Sequence, residues 1–224
     1  MTDQRPINFP FGLDKRQQRY IHPSWLAKAV SGDRQCQLSL HLQANYKIPK
    51  VDNSFDLEGY KLNHQTALTR YAGLLKSESY LVHAEGSNEF RYTTKTGAVI
   101  SAKPDLVAIR SGEAIVPEIK TGRELKSCDI VQVKLYMAMI PAIGLHGIRE
   151  IPIGQLVHND EVYEIAPSEV TTEFKQQVAD VVNGITQPGV PPATPSTLEC
   201  RYCPTQHLCP YKVDNVAQGS DDWL

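Results

Sequence analysis

Residues 102–122 read AKPDLVAIRSGEAIVPEIKTG, and the fold turns on them. LVAIR and EAIVPEIK are apolar and β-branched, and Ser111-Gly112 separates them, so they form two strands with RSGE turning a hairpin. Asp105 stands at the start of the first strand, just after Pro104. Glu118 and Lys120 lie on the second strand, two residues apart, and therefore share one face. Ile115, Val116 and Ile119 make that strand mostly apolar, which places it centrally, where charge is expensive unless it is used. Two carboxylates converging from neighbouring strands suit a hard divalent cation such as Mg²⁺ or Mn²⁺. A lysine beside them can orient or activate water and offset charge on a phosphate, as phosphodiester hydrolysis requires. The competing reading is an ordinary Glu118–Lys120 ion pair on a half-exposed strand.

The chain on either side of the hairpin fills out an α/β pattern. Residues 23–46 read as two short helices broken near Ser31-Gly32, with Ser24 and Asp33 as candidate N-caps. Residues 54–77 form a longer helix whose apolar face carries Leu57, Tyr60, His64, Ala67, Leu68, Tyr71 and Leu75. Strands follow at 79–86, 89–94 and 97–112. Downstream, 126–143 returns to helical spacing and puts Gln132 and Tyr136 on one face. Strands at 150–159 and 161–167 precede a helix starting at Pro167, and a Pro/Thr/Ser-rich connector runs over 186–197. The predicted architecture is a mixed α/β sheet flanked by helices.

Composition narrows the function. The sequence is 41% hydrophobic and 21% charged with a net charge of −2, so a nucleic-acid partner has to meet a local basic groove. No apolar run is long enough for a membrane span, and the first twenty residues lack a secretory apolar stretch, so the expected compartment is the cytoplasm. Thiols stay reduced there. Three of the five cysteines nonetheless fall in LECRYCPTQHLC, residues 198–209, as C-x2-C-x5-C, which points to metal binding rather than disulfides. His207 lies inside the string and permits a local zinc knuckle of the Cys3His type, with Cys36 an ordinary helix residue. Cys128 reads as a buried structural thiol. The acidic tail 215–224 carries an isolated Trp223.

Pro104-Asp105 followed by Glu118-Ile119-Lys120 resembles the PD-(D/E)XK nuclease signature. With Gln132-x-x-x-Tyr136 on the next helix, it is similar to the RecB-type branch of that superfamily. That likeness implies a histidine ligand after a glycine on an earlier helix, here His64 after Gly59, with His83 as its rival. It also implies a divalent ion held by His64, Asp105, Glu118 and the carbonyl of Ile119, with Gln132 and Tyr136 beside the metal and the DNA. Adding the triplet and the single upstream Cys36, the chain from Cys36 to Cys209 resembles the CRISPR-associated exonuclease family called Cas four. Cys36 is followed by Gln37-Leu38 where that family carries Pro-Arg.

The resemblance implies one RecB-like domain over 1–224. Residues 20–50 form a helical part with one cluster cysteine, 54–185 the restriction-endonuclease-like core, and 198–213 the C-terminal cysteine cluster. Cys36, Cys200, Cys203 and Cys209 then hold a 4Fe–4S cluster that joins the N- and C-terminal regions. The implied activity is Mg²⁺- or Mn²⁺-dependent exonuclease cleavage of DNA, preferring single-stranded ends, in trimming or selecting spacer precursors with the CRISPR spacer integrase complex. A general DNA-repair RecB-like nuclease has the same chemistry. A non-catalytic DNA-binding adaptor is the other class, and the complete acid–acid–lysine set favours the nuclease over it. Expected DNA contacts are Lys103, Lys120, Arg123, Lys126 and Lys134, with Tyr136 either stacking on a base or packing within its helix.

Overall fold

The structure is a computed structural model and describes residues 13–49 and 56–213; the tail with Trp223 lies outside the described residues. Two sheets form, where the sequence reading expects one. A five-stranded sheet has the order β2-β5-β6-β7-β8, with β2 Leu81–Ala84, β5 Leu106–Arg110, β6 Glu113–Lys120, β7 Ile153–His158 and β8 Glu161–Ile165. A three-stranded sheet has the order β1-β4-β3, from β1 Tyr20–Ile21, β3 Phe90–Thr93 and β4 Val99–Ala102. The predicted strand 97–112 is thus cut in two, and its halves belong to different sheets. The cut falls at Lys103-Pro104-Asp105, where Pro104 has no N–H to continue a ladder.

In the larger sheet β6 and β7 pair in parallel and the other pairs are antiparallel. The parallel pair needs a crossover, and α4, Ser127–Ile143, supplies it. Gly154 on β7 sets how closely this helix lies on the sheet. A Cβ there would fall 2.5 Å from Met137 Sδ and 2.6 Å from Val133 Cγ1. Beneath α4 the core includes Val116, Val133, Tyr136, Met137 and Leu156. On the opposite face α3, Leu57–Ser77, buries Leu68, Ala72 and Leu75 against Leu106, Ala108, Ile115 and Ile119. The apolar face expected along all of α3 holds only for its C-terminal half, since Leu57 and Tyr60 are exposed.

Helix boundaries differ from the sequence reading in three places. α1, Pro23–Val30, is capped by His22 rather than Ser24, because Pro23 fills the first helical position and the imidazole accepts the Ser24 N–H. α2, Gln37–Asn45, starts after Cys36 rather than Asp33. Pro167 opens only a 3-10 turn, and α5, Thr172–Thr186, begins after its own cap, Thr171. After the connector, α6 spans Thr197–Arg201.

Candidate active site

The site sits where two ladders part. β5 and β6 pair only as far as Ala108 opposite Ile115, whereas β2 and β5 stay paired to Ala84 opposite Leu106. One further bond, from the Glu85 N–H to the Asp105 carbonyl at 2.9 Å, extends the β2–β5 side. Asp105 is therefore tied to β2 but released from β6. Its carboxylate fills the gap, with Oδ2 accepting the Ile119 N–H at 2.8 Å. A strand residue directs its N–H and carbonyl to the same flank, so the Ile119 carbonyl also faces Asp105.

Asp105 Oδ2 also lies 3.2 Å from His64 Nε2. That hydrogen bond leads the causes that raise the His64 pKa, outweighing burial. His64, Glu85 and Asp105 each offer a ligand atom within 4.8 Å of the others. Sequence reading missed Glu85. It lies in a 3-10 turn, Glu85–Asn88, that shows no strand alternation, and only the extended β2–β5 ladder brings it beside Asp105. Lys103, one of the expected DNA contacts, pairs with it at 3.0 Å. The rival ligand His83 instead stacks on His146, with ring centres 3.7 Å apart.

Glu118 is 5% exposed. Its Oε1 accepts from Lys120 Nζ at 3.2 Å and from Gln132 Nε2 at 2.7 Å. Its Oε2 is buried with no hydrogen-bond partner. Burial first, and the Asp105 charge second, push the Glu118 pKa up to about 7. Burial pulls the Lys120 pKa down, but the carboxylates of Glu118 and Asp129 leave it raised overall. Asp129 Oδ1 lies 3.4 Å from Lys120 Nζ. A buried, unpartnered carboxylate oxygen beside a His–Glu–Asp group fits the oxygen-rich shell of a divalent cation. His64, Glu85 and Asp105 could hold such an ion, and the unpartnered Glu118 oxygen could complete the shell.

Gln132 and Tyr136, read from sequence as DNA contacts, are 8% and 2% exposed. The Gln132 amide is fully engaged, donating to Glu118 and to the Tyr136 hydroxyl at 2.9 Å and accepting from Lys120 at 3.1 Å. Burial pushes the Tyr136 pKa up. The pair braces the acid and the lysine, and Tyr136 presents no ring for stacking. Lys126 is exposed at the N-cap of α4, and Arg123 is exposed in the loop just before it. Lys134 is not brought to the site. It sits two residues past Gln132, on the other side of the helix, 3.8 Å from Glu169 and over the Phe174 ring.

Cys36, Cys200, Cys203 and Cys209 line one cavity together with Arg34, Ser39, Glu199 and Thr205. Burial, then the neighbouring Cys36, Cys203 and Cys200, raise the Cys209 pKa. A single zinc ion draws its thiolates to about 3.8 Å of one another, since Zn–S bonds are about 2.3 Å. Among the described residues no three of these sulfurs lie within 4.8 Å of one another, and His207 is exposed, outside the cavity. These four thiols are the residues that could hold a metal centre in this cavity. Cys128 is buried elsewhere, and burial pushes its thiol up to about 11, which leaves it protonated and inert.

Among the described residues no helix is long and apolar enough to cross a membrane. Residues 26–210 match the family model of the PD-(D/E)XK nuclease superfamily. No curated protein matches the chain. The crystal structure of SSO0001 shares its fold with a TM-score of 0.51 at 17% identity, over 89% of this chain and 90% of that one.

Proposed function

The chain belongs to the PD-(D/E)XK nuclease superfamily, and from that premise we propose that it is a Mg²⁺- or Mn²⁺-dependent exonuclease acting on single-stranded DNA ends. The observation that carries the proposal is the buried Glu118 carboxylate, with one oxygen unpartnered, next to Asp105, His64 and Glu85. A divalent cation held by these groups supplies Lewis-acid charge for the scissile phosphate. The protein's own part is positioning. His64 and the Ile119 N–H fix the Asp105 carboxylate, and Gln132, braced by Tyr136, fixes Glu118. Lys120 carries its ammonium into the site on a rigid central strand. It serves to orient the attacking water or to offset charge on the phosphate. Exposed Arg123, just before α4, and Lys126, at its N-cap, meet the DNA backbone.

The cysteine cavity supports the finer reading. Cys36 from the N-terminal helical part and Cys200, Cys203 and Cys209 from the C-terminal end share one cavity, the arrangement a 4Fe–4S cluster joining both ends needs. Together with the nuclease core it supports the proposed role in trimming or selecting spacer precursors beside the spacer integrase, in the cytoplasm. The domain accordingly divides into a helical part with one cluster cysteine, the nuclease core and the C-terminal cysteine segment. The deciding experiment incubates single-stranded and duplex DNA with Mn²⁺ and wild type beside Lys120→Ala. Wild type is expected to degrade the single strand from its ends, and Lys120→Ala to leave it intact. Wild type inactive on every DNA form and metal makes the chain an adaptor instead. Equal activity in Lys120→Ala places the chemistry elsewhere.

A further inference from the structure

The N-terminus of α4 lacks a side-chain acceptor at its N-cap position. Lys126 occupies the N-cap position, and a lysine side chain accepts no hydrogen bond. The Cys128 N–H, second in the helix, is nevertheless satisfied. It donates to Asp33 Oδ2 at 3.2 Å, while the Ser127 hydroxyl donates to Asp33 Oδ1 at 3.0 Å. Asp33 thus does for α4, across 95 residues of chain, what an N-cap aspartate does locally. Desolvation works to raise the Asp33 carboxyl, but hydrogen bonds from the Cys128 side chain, Ser127, Ser31 and the Cys128 backbone together hold it below its usual range. The helix turn they anchor bears on the proposed chemistry. Asp129 accepts the Lys126 N–H at 2.9 Å and stands 3.4 Å from Lys120 Nζ, and Gln132, one turn on, holds Glu118.

Asp33 is itself held from the cysteine cavity. Two and three residues past Asp33, the N–H groups of Gln35 and Cys36 donate to the Glu199 carboxylate at 2.8 Å and 3.2 Å. Arg34 donates to the Tyr202 carbonyl at 3.4 Å, and Thr194 donates to the Gln35 carbonyl at 3.2 Å. The loop between α1 and α2 is pinned at one end to the segment carrying Cys200 and at the other to the first turn of α4. We propose that Asp33 is a positioning residue that caps α4 from outside the helix and, through the Asp33–Cys36 loop, makes the alignment of Lys120 depend on the cysteine cavity. This rests on the nuclease reading for its kinetic consequence and on the iron–sulfur reading for its response to iron removal, while the Cys128 exchange in Asp33→Ala tests the cap without either.

The test uses the full chain with its iron in place, as wild type, Asp33→Ala and Asp33→Asn. Asp33→Ala is expected to keep its iron, to melt a few degrees lower as loss of a helix cap does, and to exchange the Cys128 amide hydrogen faster. Its kcat on a single-stranded oligonucleotide falls about tenfold with KM unchanged, as misalignment of a reacting group predicts. Asp33→Asn retains an amide oxygen to accept the Cys128 N–H and recovers most of the loss. Stripping the iron from wild type with ferricyanide and chelator speeds exchange at Cys128, and stripping Asp33→Ala adds nothing further. Unchanged Cys128 exchange in Asp33→Ala, or on iron removal, overturns the proposal, as does an Asn variant as impaired as Ala. Wild type that cleaves no DNA overturns the nuclease reading, and the exchange measurements then decide the link by themselves.

Discussion

At the end of the large sheet, Glu118 and Lys120 stand on β6, Asp105 stands just before β5 tied to the β2 side, and His64 and Gln132 reach in from long helices packed on either face. Cys36, Cys200, Cys203 and Cys209 come instead from a helix cap, a five-residue helix and the turns after it. The first region is charged and buried, and one carboxylate oxygen goes unsatisfied. The second is built from cysteine side chains held by a few loop hydrogen bonds. A rigid scaffold can bear a costly site, since the sheet and helices would fold without it. A pocket made of loops has little packing of its own and draws its order from what it binds.

That contrast breaks most visibly on substitution at each centre. Glu118→Ala or Lys120→Ala is expected to lower cleavage by about a thousandfold or more, because each removes a charged group from the reacting centre. Neither is expected to lower iron content. Glu118 adds a pH test in chelated protein. Its folded pKa of about 7 lies above the ordinary 4.5, so the folded state holds a proton that the unfolded chain has lost. Stability from this group is complete below pH 4.5 and is lost as pH rises toward 7. Thermal melts of metal-free wild type should show that fall, and Glu118→Gln should flatten it. A fall of equal size in Glu118→Gln would show that Glu118 is not its source.

The loop-built pocket is expected to respond in the opposite sense. Cys36→Ala removes a proposed ligand, contributed from 164 residues away in sequence, judged by Cys200. Iron is expected to fall as far as in Cys203→Ala, and the thermal midpoint with it, whereas Cys128→Ala leaves the iron in place. Full iron in Cys36→Ala, or stoichiometric zinc with no iron in anaerobically prepared wild type, would return the pocket to a local knuckle.

The two regions also differed in how far the sequence revealed them. The hairpin was legible because two apolar, β-branched runs, a Ser-Gly turn and a Pro-Asp start occur within twenty-one residues. The helix with Gln132 and Tyr136 was legible from period alone, but their burial was not. It depends on Gly154, far along the chain, letting α4 settle onto β7. The split of 97–112 between two sheets was hidden, because both halves are equally β-prone and only the partners differ. Glu85 was invisible for the same reason: its place comes from a ladder bond, not from its neighbours in sequence. The external cap on α4 left a faint mark, a helix start with lysine where an acceptor belongs. Gly154→Ala tests the settling of α4 directly. Its Cβ meets Met137 and Val133, so it is expected to cost about 1–3 kcal/mol by overpacking. Cleavage should fall as Gln132 shifts from Glu118, and an unchanged denaturation midpoint would show that α4 does not depend on this close approach.

The smallest expected effect separates two lysines that the sequence could not tell apart. Lys126 and Lys134 lie on one helix, eight residues apart and both near the Glu-x-Lys strand in sequence. Lys126 is exposed at the helix start, on the turn that also bears Asp129 beside Lys120. Lys134 points the other way, into Glu169 and Phe174. Lys126→Glu is expected to weaken single-strand binding and to reduce the salt dependence by about one counterion, since one phosphate contact is removed. Lys134→Glu sets two carboxylates side by side and is expected to lose about 0.5 kcal/mol of stability, the scale of a surface pair. It leaves the affinity and its salt slope unchanged. Equal losses of affinity from both reversals would mean that the DNA path runs over α5 as well as the mouth of the site.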